Sequence, residues 1–119
     1  MKKVWVNGTF DVVHIGHIKL LEFANSFGSV TVGLDTDERV RSKKGESRPF
    51  NTLDDRMDFV SSIRFVDNVV SFDTDDELVN QIKKFEPDIM VIGGEYRYKQ
   101  IIGLEDVPHI EFFEKIDGY

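Results

Sequence analysis

Two of the chain's three histidines, His14 and His17, stand three residues apart in the stretch Gly8-Thr9-Phe10-Asp11-Val12-Val13-His14-Ile15-Gly16-His17. Imidazoles at that spacing are suited to holding anionic oxygen. Their ring N–H groups can follow charge as it builds on phosphoryl oxygens, and Gly8 and Gly16 let backbone approach a ligand closely. A strand-like run, Lys3 to Val6, precedes the stretch, and an apolar helical pattern, Ile18 to Phe27, follows it. The free N–H groups and positive dipole end of such a helix make an anion site. Phosphate handling is therefore the chemistry predicted for this turn. The alternatives for the histidines are capping or half of a zinc site. Zinc needs further ligands, and the chain has no cysteine and no third histidine nearby. The glycine spacing departs from the dinucleotide-binding pattern and no Walker lysine follows, which disfavours hydride transfer and P-loop chemistry.

Other chargeable residues carry two readings each. Asp11 is a nucleophile or metal ligand on one reading and a turn carboxylate holding backbone N–H groups on the other. Lys43, Lys44 and Arg48 form a basic island in the loop from Lys44 to Asn51, either a phosphate clamp or solvated charge. Arg56 and Arg64, eight residues apart, project from similar sides of one helix, and spacing alone favours surface salt bridges for both.

These residues need a scaffold, and the order of elements predicts one. Strand patterns at Val4–Val6, Val30–Leu34, Phe65–Phe72, Ile89–Ile92 and Ile110–Phe113 alternate with helical ones. The first helix is expected to end at a glycine cap, Gly28, and another to start at the N-cap Thr52. A short helix is expected over Asp37–Lys43, a helix with Leu78, Ile82 and Phe85 on one face stops at Pro87, and a helical turn is expected around Lys99–Ile102. The alternation predicts an α/β fold: one doubly wound, Rossmann-like domain with a five-stranded parallel sheet. Ligands of such folds sit at the strands' C-terminal ends, so the histidine turn, the basic loop and Gly93-Gly94 could share one crevice.

With 119 residues, 40% of them hydrophobic, the chain can build a single core. A net charge of −7 argues against general binding to nucleic acid or anionic membrane, so any polyanion must meet local positive charge. Absence of cysteine excludes disulfides and thiolate chemistry. The N-terminus lacks a signal-peptide core and no stretch reaches membrane-spanning length, which predicts a soluble cytoplasmic protein.

Gly8-Thr9-Phe10-Asp11 followed by His14-Ile15-Gly16-His17 resembles the signature of the cytidylyltransferase-like nucleotidyltransferases, a family that includes glycerol-3-phosphate cytidylyltransferases and the adenylyltransferase domain of ADP-heptose synthesis. The likeness covers nearly the whole chain. Val40 to Gly45, Arg48-Pro49, Arg56, Val66-Asp67, Pro87-Asp88 and Gly93-Gly94-Glu95-Tyr96 are most similar to the heptose-phosphate branch, whereas Met1 to Val4 and His17 to Glu22 are similar to the glycerol-phosphate branch. The resemblance implies transfer of a nucleotidyl group from a nucleoside triphosphate to a phosphorylated small molecule, with release of pyrophosphate and no covalent enzyme intermediate. It implies catalytic roles for His14, His17 and Lys44. Contacts to the nucleotide fall to Gly8, Thr9, Phe10, Gly16, Arg64, Gly94, Glu95, Tyr96 and Lys115, and the acceptor falls to Asp11 and Arg56. It also implies magnesium with the triphosphate and a homodimer.

Two departures stand out. Family members continue past the last strand into a Ser-Thr-Thr helix start that holds triphosphate oxygens, and this chain stops at Asp117-Gly118-Tyr119 where that segment should begin. Glu95 stands where an aspartate is expected after the glycine pair, and Lys115 where the glycerol-phosphate branch has an arginine. Three readings remain open: a heptose-1-phosphate adenylyltransferase, a CTP:glycerol-3-phosphate cytidylyltransferase, and a catalytically impaired nucleotide-binding module.

Overall fold

A computed structural model describes residues 1–93, 103 and 107–113 of the chain. In β1 (Lys3–Gly8), Val4 and Val6 bury on one face and Trp5 on the other, the two-residue period of a strand covered on both sides. In β2 (Ser29–Asp35), Val30, Val32 and Leu34 extend the first face. On the opposite face Gly33 makes room for Trp5, because a Cβ there would lie 2.7 Å from the indole Cζ2. The helices α1 (Ile15–Asn25) and α3 (Leu53–Ser61) cover the first face with Leu21, Ala24 and Val60. Helix α4 (Asp75–Phe85) covers the second with Leu78 and Ile82, one turn apart. The remaining elements are the short helix α2 (Asp37–Lys44), β3 (Asn68–Phe72), β4 (Ile89–Gly93) and β5 (His109–Phe113).

All neighbouring strands are parallel, in the order β3-β2-β1-β4-β5. The chain builds outward from β1 to β3, then returns to the other side of β1 for β4. The switch point therefore falls between β1 and β4, where doubly wound folds bind ligands. The ladder itself opens there. β1 and β4 pair only at Val4–Ile89 and Trp5–Met90, whereas β1 and β2 stay paired from Lys3–Ser29 to Gly8–Leu34. Beyond Trp5 and Met90 the two central strands separate toward their C-terminal ends.

Local chemistry sets the helix ends. Thr36, Thr52 and Thr74 cap α2, α3 and α4, each hydroxyl accepting a backbone N–H three residues on, with acidic residues in each first turn. Asp67 and Asp88 do similar work for strands. Their carboxylates accept from the amides of Val30 and Lys3, and their own amides donate to the carbonyls of those residues, extending the ladder at the start of β3 and β4.

Three expectations change. The first helix begins at Ile15 rather than Ile18, because His14 caps it and draws the end of the histidine stretch into its first turn. Its C-cap is Ser26, not Gly28. Gly28 is needed because the Lys2 backbone passes so close that a Cβ would meet the Lys2 carbonyl. The third strand starts at Asn68, and Phe65 and Val66 pack on the core before it. The turn expected near Lys99–Ile102 lies outside the described residues. Glu86 closes α4 in the left-handed region (φ 54, ψ 60), where a side chain is strained and glycine is not. Glu86→Gly is expected to raise stability by about 1 kcal/mol, measurable by urea unfolding. Among the described residues, no helix is long and apolar enough to cross a membrane.

Candidate active site

The separation of β1 from β4 leaves a cavity of about 550 Å³ over the C-terminal edge of the sheet. Val6 to Gly8 and Val91 to Gly93 form its walls, and His17, Lys43, Lys44 and Arg48 line the rim. Arg39, Asp35 and Asp11 also border it, so among the described residues its charged lining is four cations against two carboxylates, in a chain of net charge −7. Local positive charge of this kind is what binding an anion requires here.

His14 and His17 form a reciprocal cap. The Gly16 amide donates to His14 Nδ1 at 3.0 Å, and the His14 amide donates to His17 Nδ1 at 3.1 Å. This is a capping box built from imidazoles instead of hydroxyl and carboxylate. Each Nδ1 is an acceptor, so each neutral ring carries its proton on Nε2. The rings lie 4.1 Å apart between centroids, and Phe10 packs 5.3 Å from His17. Phe10 itself is buried at φ 51, a strained conformation that turns the chain from β1 toward α1. Gly8, Thr9 and Phe10 line the cavity. Gly16 serves through its amide, which is given to His14.

Asp11 proves to be a latch. Its carboxylate accepts from the amides of Phe50 and Asn51, both at 2.8 Å, and its carbonyl accepts from the Asn51 side chain. The basic loop is thereby fastened to the histidine turn, which sets Arg48 and Lys44 at the cavity. Burial alone would raise the Asp11 pKa. The two amide bonds and the nearby charges of Arg56 and Arg48 outweigh it and hold the carboxyl below 3.8. A lowered folded pKa means stability present above the unfolded value and lost as pH falls through the folded one. Asp11→Asn is expected to cost about 2 kcal/mol at pH 7. The gap to the unsubstituted chain should narrow below pH 3.8, where urea unfolding of both chains would show it.

Arg56 is the tie at the centre, with 1% of its side chain exposed. Nε donates to Asn51 O at 3.0 Å, Nη1 to Thr9 O at 3.0 Å and to Asp35 O at 2.8 Å, and Nη2 to Asp37 Oδ1 at 2.7 Å. The acceptor contact expected of Arg56 and Asp11 meets groups already engaged by protein, which position the site from beneath. Arg64 lies apart. It follows the end of α3, at the opposite edge of the sheet, with its guanidinium over Phe65, and does not line the cavity. The reason is that α3 stops at Ser61, so the two arginines do not share a helix. Gly94, Glu95, Tyr96 and Lys115 lie outside the described residues.

Arg39 escaped sequence reasoning. It is 8% exposed, with Nη2 2.7 Å from Asp75 Oδ1, Nε 3.4 Å from Asp35 Oδ2 and its guanidinium 5.0 Å from the Phe72 ring centroid. The four-residue spacing of Asp35 and Arg39 was the one available signal. The Arg39 bond, ahead of a smaller opposing effect of burial, lowers the Asp75 pKa.

The chain is similar to known proteins over this whole frame. The family model described as Cytidylyltransferase-like matches residues 5–110. "Bifunctional protein HldE" of Campylobacter concisus is 42% identical over 118 residues, 98% of this chain and 25% of that protein. The protein of the same name from Campylobacter curvus is 44% identical over 118 residues, again 98% and 25%. The chain thus spans about a quarter of the length of the curated relatives it matches. Among solved structures, the lipopolysaccharide core biosynthesis protein from Thermoplasma volcanium shares the fold with a TM-score of 0.80 at 23% identity, covering 98% of this chain and 99% of that one. A histidine pair capping the first helix, at the switch point of a parallel sheet, thus stands within a match from Trp5 to Ile110, and the chain belongs to the cytidylyltransferase-like family of nucleotidyltransferases.

Proposed function

We propose that this domain transfers a nucleoside monophosphate from a nucleoside triphosphate to a sugar phosphate, with release of pyrophosphate, and that its substrates are ATP and a heptose-1-phosphate-like acceptor. An oxygen of the acceptor phosphate attacks the α-phosphorus. The new P–O bond forms as the bond from the α-phosphorus to the bridging oxygen breaks, and the electron pair leaves with pyrophosphate. The observation that carries the reading is the imidazole capping box at the N-terminus of α1, which fixes both rings through their Nδ1 atoms and sets His17 in the cavity lining with His14 stacked behind it. Lys44 and Arg48, held at the same rim, neutralise the triphosphate. To Gly94, Glu95 and Tyr96, which follow β4 in the sequence, we assign the base and ribose by resemblance.

The 42–44% identity to the two HldE proteins over nearly the whole chain supports the heptose-phosphate branch over the glycerol-phosphate one. Magnesium enters as a companion of the triphosphate. Among the described residues no group of three or more His, Asp or Glu side chains could hold a metal ion, so we assign the protein no ligand set and no step to it. A cytoplasmic location and a homodimer belong to the same proposal, by resemblance.

Thermal stabilisation by ATP and by CTP, each with magnesium, ranks the bases directly, because a ligand that binds only the folded state raises the melting temperature. Pyrophosphate release with sugar 1-phosphates and with glycerol 3-phosphate then identifies the acceptor. We expect ATP with a sugar 1-phosphate. CTP with glycerol 3-phosphate would move the domain to the other branch, and no shift with either nucleotide would overturn the transferase reading.

A further inference from the structure

The two side chains that resemblance offers to the acceptor, Asp11 and Arg56, are taken up by backbone groups and Asp37. The acceptor must then be read by something else. Away from the histidine rim, the cavity extends over the ends of β2 and β3, where Asp35, Arg39, Phe72 and Leu78 line it. We infer that Arg39, braced between Asp35 and Asp75 over the Phe72 ring, reads the hydroxyl groups of a sugar phosphate acceptor and so sets acceptor specificity. This inference rests on the transferase reading above and names the residue that selects within it.

Three observations carry it. Arg39 lines the cavity although it is more than nine-tenths buried, and its Nε, without a hydrogen bond among the described residues, is sealed from solvent beside Asp35 Oδ2 at 3.4 Å, where it braces the group and leaves the outer nitrogens to a ligand. Among the described residues its Nη1 has only a 3.5 Å contact, with Asp73 O. A buried guanidinium with donors this poorly used is uncommon, since desolvated N–H groups are costly to leave unmade. Charge then decides the ligand class. Two carboxylates flank one guanidinium, so this end of the cavity is not a second phosphate clamp; Lys43, Lys44 and Arg48, which have no ion pair among the described residues, sit at the rim. Carboxylates beside a fixed guanidinium offer acceptors and donors together, which suits vicinal hydroxyls, each both donor and acceptor. Sites that hydrogen-bond a substrate hydroxyl discriminate strongly against analogues lacking it, because their polar groups are then left unpaired. A sugar phosphate presents several vicinal hydroxyls fixed on a ring, enough to meet the guanidinium and its carboxylate together, whereas glycerol 3-phosphate presents a single pair on a flexible chain.

The test is steady-state kinetics of pyrophosphate release with ATP, comparing a hexose 1-phosphate with glycerol 3-phosphate. Arg39→Lys keeps the charge and loses the planar fork. It is expected to raise the KM for the sugar phosphate tenfold or more, leave the KM for ATP within twofold, and erase the preference for sugar over glycerol phosphate. Asp75→Asn removes the outer brace from an exposed position and is expected to raise the same KM three- to tenfold, so the test survives if Arg39→Lys does not fold. Unchanged acceptor KM in both variants, or a rise in KM for ATP alone, overturns the subsite while the transferase stands. No turnover by the unsubstituted chain with any acceptor overturns the transferase reading itself.

Discussion

Replacing Arg56 by methionine is expected to cost about 3–5 kcal/mol of folding stability, a fall in melting temperature of roughly 12–20 °C. The size follows from what the guanidinium holds. Its donors bind the Thr9 carbonyl in the histidine turn, the Asp35 carbonyl at the end of β2, the Asn51 carbonyl at the end of the basic loop and the Asp37 carboxylate at the start of α2. Methionine fills similar space but leaves those oxygens without partners in a buried setting. Arg56→Lys keeps the charge but reaches one or two of the four acceptors, so it should fall between. Calorimetry on the three chains checks this. A merely substrate-binding Arg56 would give the opposite pattern: a raised acceptor KM with the melting temperature unmoved.

His17→Asn separates the two jobs of that imidazole. The asparagine Oδ1 can occupy the place of Nδ1 and still accept the His14 amide, so stability should stay within about 0.5 kcal/mol. The Nε2–H donor is gone, and we expect turnover to fall by about 100- to 1,000-fold, the loss typical for one donor to a charged transition state. His17→Ala should lose both, with about 1 kcal/mol of stability removed along with activity. Pyrophosphate release and thermal unfolding of both variants decide it. Equal turnover in the unsubstituted chain and His17→Asn would leave the histidine as a cap and nothing more. The capping and donor roles of His17 thus become separable by choosing which ring nitrogen to imitate.

Much of this site is local in the chain. Helix caps are set within three or four residues, so Thr52 and the acidic first turns could be seen without a fold. The strand–turn–helix setting of His14 and His17, and the alternation that makes the sheet parallel, are also carried by near neighbours. From the sequence, capping is only an alternative reading of the two histidines, and α1 is expected to start at Ile18 instead of Ile15, because nothing in residue type distinguishes a histidine that accepts a backbone N–H from one that does not.

Fold class, the order of elements, the strand–turn–helix setting of the histidines and the presence of a basic loop were legible in the chain alone, since each rests on periodicity, capping or charge within a short span. Tertiary structure alone decided how those parts share their charges. Asp11 meets Phe50 and Asn51 across some forty residues, Arg56 reaches Thr9 across forty-seven, and Arg39 meets Asp75 across thirty-six. Residue type cannot show whether a guanidinium faces a ligand or a carbonyl. That choice is made where β1 and β4 part beyond Trp5 and Met90, because the opening between them sets which side chains line a cavity and which are buried beneath it.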